Sequence, residues 1–219
     1  MTRTRIKFCG LTREGDVAAA CRLGVDAVGF VCHPASPRYV AVERLAALAR
    51  ELGPFVTPVL LFVDADPARI RQAREFMPDA LLQFHGRESA AACAAFGRPY
   101  LRAIALGAGV DLLDCEIEYR SASALLVDAP PREHEVGGGG RTFDWSLVPA
   151  PGRRSRPLIL AGGLTPANVE AAISAVHPYA LDVSSGIESS RGIKSEALMT
   201  GFVAAVRAAD RRAAATGDA

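Results

Sequence analysis

Ile159-Leu160-Ala161-Gly162-Gly163-Leu164-Thr165-Pro166 runs from an apolar strand through two glycines into a helix start, and Asp182-Val183-Ser184-Ser185-Gly186 repeats the arrangement further on. The position of these turns along the chain decides the fold. In an open doubly wound sheet, the glycine-rich dinucleotide turn follows the first strand, with an acidic residue beyond it. Here the first strand ends Phe8-Cys9-Gly10-Leu11-Thr12, which is no such turn. The glycines follow the sixth, seventh and eighth strands instead. Late turns with backbone N–H groups at a helix start are the usual phosphate cradle of a (β/α)₈ barrel.

Working outward from those turns, short β-rich runs alternate with Ala/Leu/Arg-rich helical stretches along the whole chain. The expected strands are Arg5–Cys9, Ala27–Val31, Val56–Val63, Ala80–Phe84, Tyr100–Ala105, Ala124–Asp128, Leu158–Ala161 and Ala180–Val183. Helical patterns fall at Glu14–Leu23, Val42–Leu52, Pro67–Phe76, Ser89–Phe96, Val110–Glu116, Pro166–Val176 and Glu196–Arg211, with a short turn at Asp144–Leu147. Asp66-Pro67 and Thr165-Pro166 each set a capping side chain before a proline suited to the first helical position. Eight strand–helix units imply an α/β fold with one parallel eight-stranded sheet closed into a TIM barrel. At 219 residues the chain allows about 27 per unit, compact for a barrel of about 250. One catalytic domain over residues 1–219 is expected, with 211–219 as a frayed tail.

Twenty-five basic against twenty-four acidic side chains leave a net charge of +1, no basis for a nucleic-acid partner. The longest apolar runs, such as Val56–Val63 with Pro58 inside it, are too short to span a bilayer. Only Phe8 and Cys9 separate the basic start from Gly10, so no secretory core is expected. Five cysteines, without CxxC spacing, argue against a disulfide framework or zinc site and for a reducing cytoplasm. Metal-ligand spacing is missing from the sequence, and no cofactor is expected. A small-molecule substrate and a monomer are the expected partner and state.

In such a barrel the active site forms at the C-terminal ends of the strands. The polar residues expected there are Lys7, Cys9, Arg38, Gln83, His85, Asp128, Gly162, Gly163 and the run Asp182 to Gly186. Lys7 and Cys9, two apart on one strand, share a face. A nearby ammonium lowers a thiol's pKa and makes thiolate available. Cys9 is otherwise read as a small buried hydrophobe. Asp128 ends the apolar run Ala124-Leu125-Leu126-Val127, where an acid catalyst or a loop cap would equally stand. Arg38, in Ser36-Pro37-Arg38-Tyr39-Val40, suits a carboxylate clamp or simple solvation. Gln83 and His85 share a face and fit a core pair as well as a site. Gly137–Gly140 could cover a substrate or serve as a linker.

Lys7-Phe8-Cys9-Gly10-Leu11-Thr12, Ser36 to Val40, Gln83-Phe84-His85-Gly86, Gly137 to Trp145, Ile159 to Pro166 and Asp182 to Glu188 occur in an order that resembles phosphoribosylanthranilate isomerases. The resemblance implies an Amadori rearrangement of N-(5-phosphoribosyl)anthranilate in tryptophan biosynthesis. It implies Cys9 as general base and Asp128 as general acid. It implies Arg38 on the anthranilate carboxylate, with Lys7, His85 and Asp182 at the substrate. It also implies Gly162, Gly163, Ser184, Ser185 and Gly186 around the phosphate. Phe8 and Phe84 stand where the family more often carries smaller aliphatics, Cys32-His33 where an aromatic pair is usual, and Gly139 where threonine is frequent.

Two other readings use part of the same pattern. A non-catalytic phosphate-ligand-binding barrel would keep the glycine and serine turns without needing Cys9 and Asp128 together. A histidine-pathway isomerase would be expected to use two aspartates, whereas the first strand here ends in cysteine.

Overall fold

The computed structural model describes residues 3–107, 109–130 and 142–216. Its strands are β1 (Arg5–Cys9), β2 (Ala27–Val31), β3 (Thr57–Phe62), β4 (Leu81–Phe84), β5 (Tyr100–Ala105), β6 (Ala124–Asp128), β7 (Leu158–Leu160) and β8 (Ala180–Val183). They close in sequence order into one barrel, each strand parallel to its neighbours. The expected eight-stranded α/β barrel is the observed one. Around it run α1 (Glu14–Arg22), α2 (Leu45–Ala49), α3 (Pro67–Phe76), α4 (Ala90–Ala94), α5 (Leu112–Glu118), α6 (Val169–Val176) and α7 (Glu196–Thr216). Between β6 and β7 the described residues form two 3₁₀ turns, Trp145–Leu147 and Pro151–Arg153.

Strand alternation divides the core in two. Val59, Leu101, Leu126 and Ile159 point into the barrel and fill it below the site, while Cys9, Val31 and Leu61 cluster above them. The intervening residues point outward into the larger core under the helices. Phe8 meets Phe202 of α7 edge to face with ring centroids 6.2 Å apart. Phe84 stacks on Phe96 and meets Tyr100 edge-on. The two departures toward aromatic residues thus fill the strand–helix layer, outside the site. Truncating Phe202 to alanine should cost about 3–5 kcal/mol and lower the melting temperature. Turnover measured well below the transition should be nearly unchanged, and a thermal melt with a parallel activity assay checks both halves.

Several helix boundaries differ from expectation, two of them, the start of α6 and the end of α7, for clear local reasons. Asp66 caps α3 as expected, accepting from the Ala68 N–H at 2.7 Å with Pro67 at the first position. Thr165-Pro166 does not start α6, which begins at Val169. Asn168 accepts from the Thr165 N–H at 2.8 Å and donates to Gly163 O at 2.9 Å, a side-chain turn that displaces the first helical turn. At the other end, α7 continues through residues 211–216, which were expected to fray. That stretch is rich in arginine and alanine, strong helix formers. Upstream, Asp210 and Arg207 fasten α7 to Thr4 beside β1. Residues 217–219 and the Gly137–Gly140 loop, with Gly139, lie outside the described residues.

A feature with no counterpart in the expected pattern follows β8. Glu188–Ser190 (β9) pairs antiparallel with Ile193–Lys194 (β10), forming a small hairpin near the barrel's mouth. Among the described residues, no helix is long and apolar enough to cross a membrane.

Candidate active site

A cavity of about 580 Å³ opens at the C-terminal ends of the strands, lined among others by Cys9, Arg38, His85, Asp128, Gly162, Gly163, Asp182, Ser184 and Ser185. Nine of the eleven site residues expected from sequence therefore share one wall. Lys7 and Gly186 stand just behind it.

Lys7 is buried and pairs with Asp182, Nζ to Oδ1 at 2.8 Å. The β1–β8 register sets these two residues side by side. Burial pulls the Lys7 ammonium down, but the charges of Asp182 and Cys9 outweigh it and hold the group above its ordinary value. The same burial pushes the Cys9 thiol up. Lys7 pulls that thiol the other way, but Asp182 opposes it. The expected lowering of the Cys9 pKa is therefore reversed, chiefly because burial outweighs the pull of Lys7, with the Asp182 charge adding to the rise. Space here comes from Gly29 on β2. A methyl at that position would lie 2.9 Å from Cys9 Sγ and 3.1 Å from Lys7 Nζ.

Asp128 closes β6 at the rim. Its Oδ1 accepts from the Ala129 N–H at 2.7 Å, and Oδ2 lies 3.6 Å from His85 Nε2. His85 is itself oriented by Gln83, whose Nε2 lies 3.2 Å from Nδ1 on the same face of β4. Gln83 thereby turns the Nε2 side of the ring toward Asp128. Gln83 and His85 are thus more than a core pair, since the second reaches the rim carboxylate.

Arg38 is buried against the wall, its stem laid over Gly10. A methyl on Gly10 would meet Arg38 Cδ at 2.5 Å, and the residue has φ +73°, so glycine is required there twice over. The guanidinium donates from Nε and Nη2 to the two oxygens of Glu188 at 2.7 and 2.8 Å. Arg38 is therefore not solvated, and one edge of it is already occupied.

The two late turns meet at Gly186, where an added methyl would fall 1.8 Å from Leu164 O. Gly186 thus permits contact between the β7 and β8 turns, while Ser184 and Ser185 face the cavity. Gly162 and Gly163 hold φ of +82° and +60°. The N–H groups of Gly162, Gly163 and Ser184 find no acceptor among the described residues. Unpaired backbone donors beside a cavity suit an anion. Cys32, by contrast, is buried away from this wall, and burial pushes its thiol up to about 12. Among the described residues, no three His, Cys, Asp or Glu side chains converge as a metal site requires.

Glu188 and Lys194 were missed as site residues by sequence reasoning. The signal available was Glu188's place just past the serine–glycine turn. Nothing local marks Lys194, which only the hairpin returns to the site.

A (β/α)₈ barrel with a thiol, a carboxylate, an arginine and unpaired backbone N–H groups around one cavity has the make-up of an acid–base enzyme. The profile of N-(5'-phosphoribosyl)anthranilate isomerase matches residues 6–205, and the chain belongs to that family. It is 53% identical to the N-(5'-phosphoribosyl)anthranilate isomerase of Leptothrix cholodnii, covering 96% of this chain and 94% of that protein. Against the isomerase of Methylibium petroleiphilum, identity is 54% over 98% of this chain and 99% of that one. The phosphoribosyl anthranilate isomerase structure from Thermus thermophilus superposes with a TM-score of 0.82 at 33% identity, over 94% of this chain and 99% of that one. A second isomerase structure, in complex with reduced 1-(o-carboxyphenylamino)-1-deoxyribulose 5-phosphate, has a TM-score of 0.80 at 34% identity, over the same shares.

Proposed function

We propose that this chain converts N-(5-phosphoribosyl)anthranilate to 1-(2-carboxyphenylamino)-1-deoxyribulose 5-phosphate in tryptophan biosynthesis, with Asp128 as general acid and Cys9 as general base. The observation that carries the reading is one cavity bordered by both groups, an arginine, and turns with unpaired N–H groups.

The substrate's phosphate would lie at Gly162, Gly163, Ser184 and Ser185, and its ring carboxylate at Arg38. These two anchors hold the sugar between Cys9 and Asp128. Asp128 gives its proton to the ribose ring oxygen as the C1–O bond breaks, and the lone pair of the substrate nitrogen forms an iminium at C1. That cation acidifies C2. The Cys9 thiolate removes the C2 proton, giving an enolamine that tautomerises to the ketone. Atoms and charge balance within the substrate and these two residues. Asp182, with Oδ1 held by Lys7, would offer its other oxygen to the substrate's amine or hydroxyls. Lys7 would act through Asp182 and Cys9, and His85 through Asp128 or on the substrate beside it.

The test is anthranilate fluorescence on the purified, metal-free protein with freshly made substrate, where absence of turnover would sink the proposal. Arg38→Ala should raise KM by about tenfold or more, the loss of a charged hydrogen bond, with kcat less affected. An unchanged KM would remove Arg38 from the carboxylate site. A monomer in a reducing cytoplasm is the accompanying expectation, checked by sedimentation and fractionation.

A further inference from the structure

The Arg38 guanidinium is held by a carboxylate that does not itself border the cavity. The Glu188 side chain is about 5% exposed and binds the Nε–Nη2 edge of Arg38 through both oxygens. The same Oε1 accepts from Lys194 Nζ at 2.8 Å. Lys194 is fully buried and donates also to Ser184 O at 2.9 Å. Ser184 Oγ in turn donates to Cys9 O at 3.0 Å, at the end of β1. One chain of contacts therefore runs from Arg38 through Glu188 and Lys194 to the serine turn and the base-bearing strand.

Its chemistry is directional. Two cations on one carboxylate leave one net positive charge behind the wall. The hydrogen bonds from Arg38 and Lys194 hold Glu188 below its ordinary value although burial pushes it up. Burial pulls Lys194 down despite the attraction of Glu188. A free arginine side chain carries about 2 kcal/mol of rotamer entropy, which a ligand would otherwise have to remove on binding. Gly10 beneath the stem and Glu188 at the head remove it beforehand. A guanidinium gripped at the Nε–Nη2 edge has its Nη1 side left for a second carboxylate.

We propose that Glu188 is a positioning residue for the substrate's carboxylate. It aims the Nη1 side of Arg38 into the cavity and, through Lys194, sets that anchor in register with the phosphate turn. The hairpin β9–β10 is the element that brings both residues to the site. This inference rests on the isomerase reading and assigns a specificity role to a residue that does not touch the substrate.

The experiment compares two ligands on the wild-type chain, Glu188→Gln, and Glu188→Gln combined with Lys194→Met. The double variant guards against failure of the single variant to fold around an unpaired cation. The ligands are the reduced product analogue and its counterpart lacking the ring carboxylate. Binding is titrated for both, and KM and kcat are measured with phosphoribosylanthranilate. Loss of a positioned charged contact should weaken the carboxylate-bearing analogue by about tenfold or more. The counterpart should change by less than about twofold, KM should rise and kcat should change little. Glu188→Asp should recover part of the loss. An equal weakening of both ligands would show a general structural role and overturn the proposal, as would no weakening of either. Wild-type protein that binds the analogue but turns over no substrate would defeat the isomerase reading alone, leaving the ligand comparison to decide this one. Failure of the wild type to bind either ligand would defeat both.

Discussion

Replacing Cys9 by serine should lower kcat by about 10²–10⁴-fold while affinity for the reduced product analogue stays within about threefold. Serine keeps the size of the side chain and its place above Val31 and Leu61. It removes the thiol, whose conjugate base forms far more readily than that of a hydroxyl. The wild-type pH profile supplies an independent check. A base works only when deprotonated, and burial raises the Cys9 thiol with Lys7 already engaged by Asp182. The corresponding limb of kcat/KM should therefore climb with pH beyond the ordinary thiol value of about 8.5. Cys9→Ser should lose that limb. A serine variant near wild-type activity, or one that keeps the same rise, would assign the base elsewhere.

Asp128→Asn should reduce kcat by a comparable factor, about 10²–10⁴, again with analogue affinity largely kept. Asparagine can still accept from the Ala129 N–H that holds Oδ1. Fold and rim geometry should survive, as a melting temperature close to wild type would report. What disappears is an acidic proton at the position facing His85. Ring opening then has no donor at that rim position, and the iminium that acidifies C2 does not form. Loss of both proton transfers at once predicts non-additivity. The Cys9→Ser/Asp128→Asn double variant should be little worse than either single one, because removing either step already stops the sequence. Full additivity of the two losses would indicate that the residues act in separate processes.

Much of the scaffold was readable because its signals are local. Period-two apolar runs located the eight strands to within a residue at each end, and a strand's alternation set Lys7 and Cys9 on the inner face. Helix ends were less legible. Thr165-Pro166 carries a sound capping signal, yet Asn168 folds back to bond Thr165 and Gly163 and delays α6. The expected end of α7 at Arg211 fell short because the arginine and alanine residues that follow carry the helix on to Thr216.

By itself the sequence determined the barrel, the rim on which its chemistry collects, and the chemical types available there: thiol, carboxylate, guanidinium and glycine turns. These follow from side-chain periodicity and backbone preference, which act over a few residues. Tertiary structure alone decided how those groups are charged and aimed. Burial in the folded barrel raises the Cys9 thiol past the lowering pull of Lys7, and Asp182, from the far end of the chain, adds to the rise while pairing with Lys7. Glu188 and Lys194, brought back by a hairpin, turn an apparently solvated loop arginine into a held one. Both outcomes depend on distance and desolvation between residues remote in the chain, quantities that local sequence patterns do not carry.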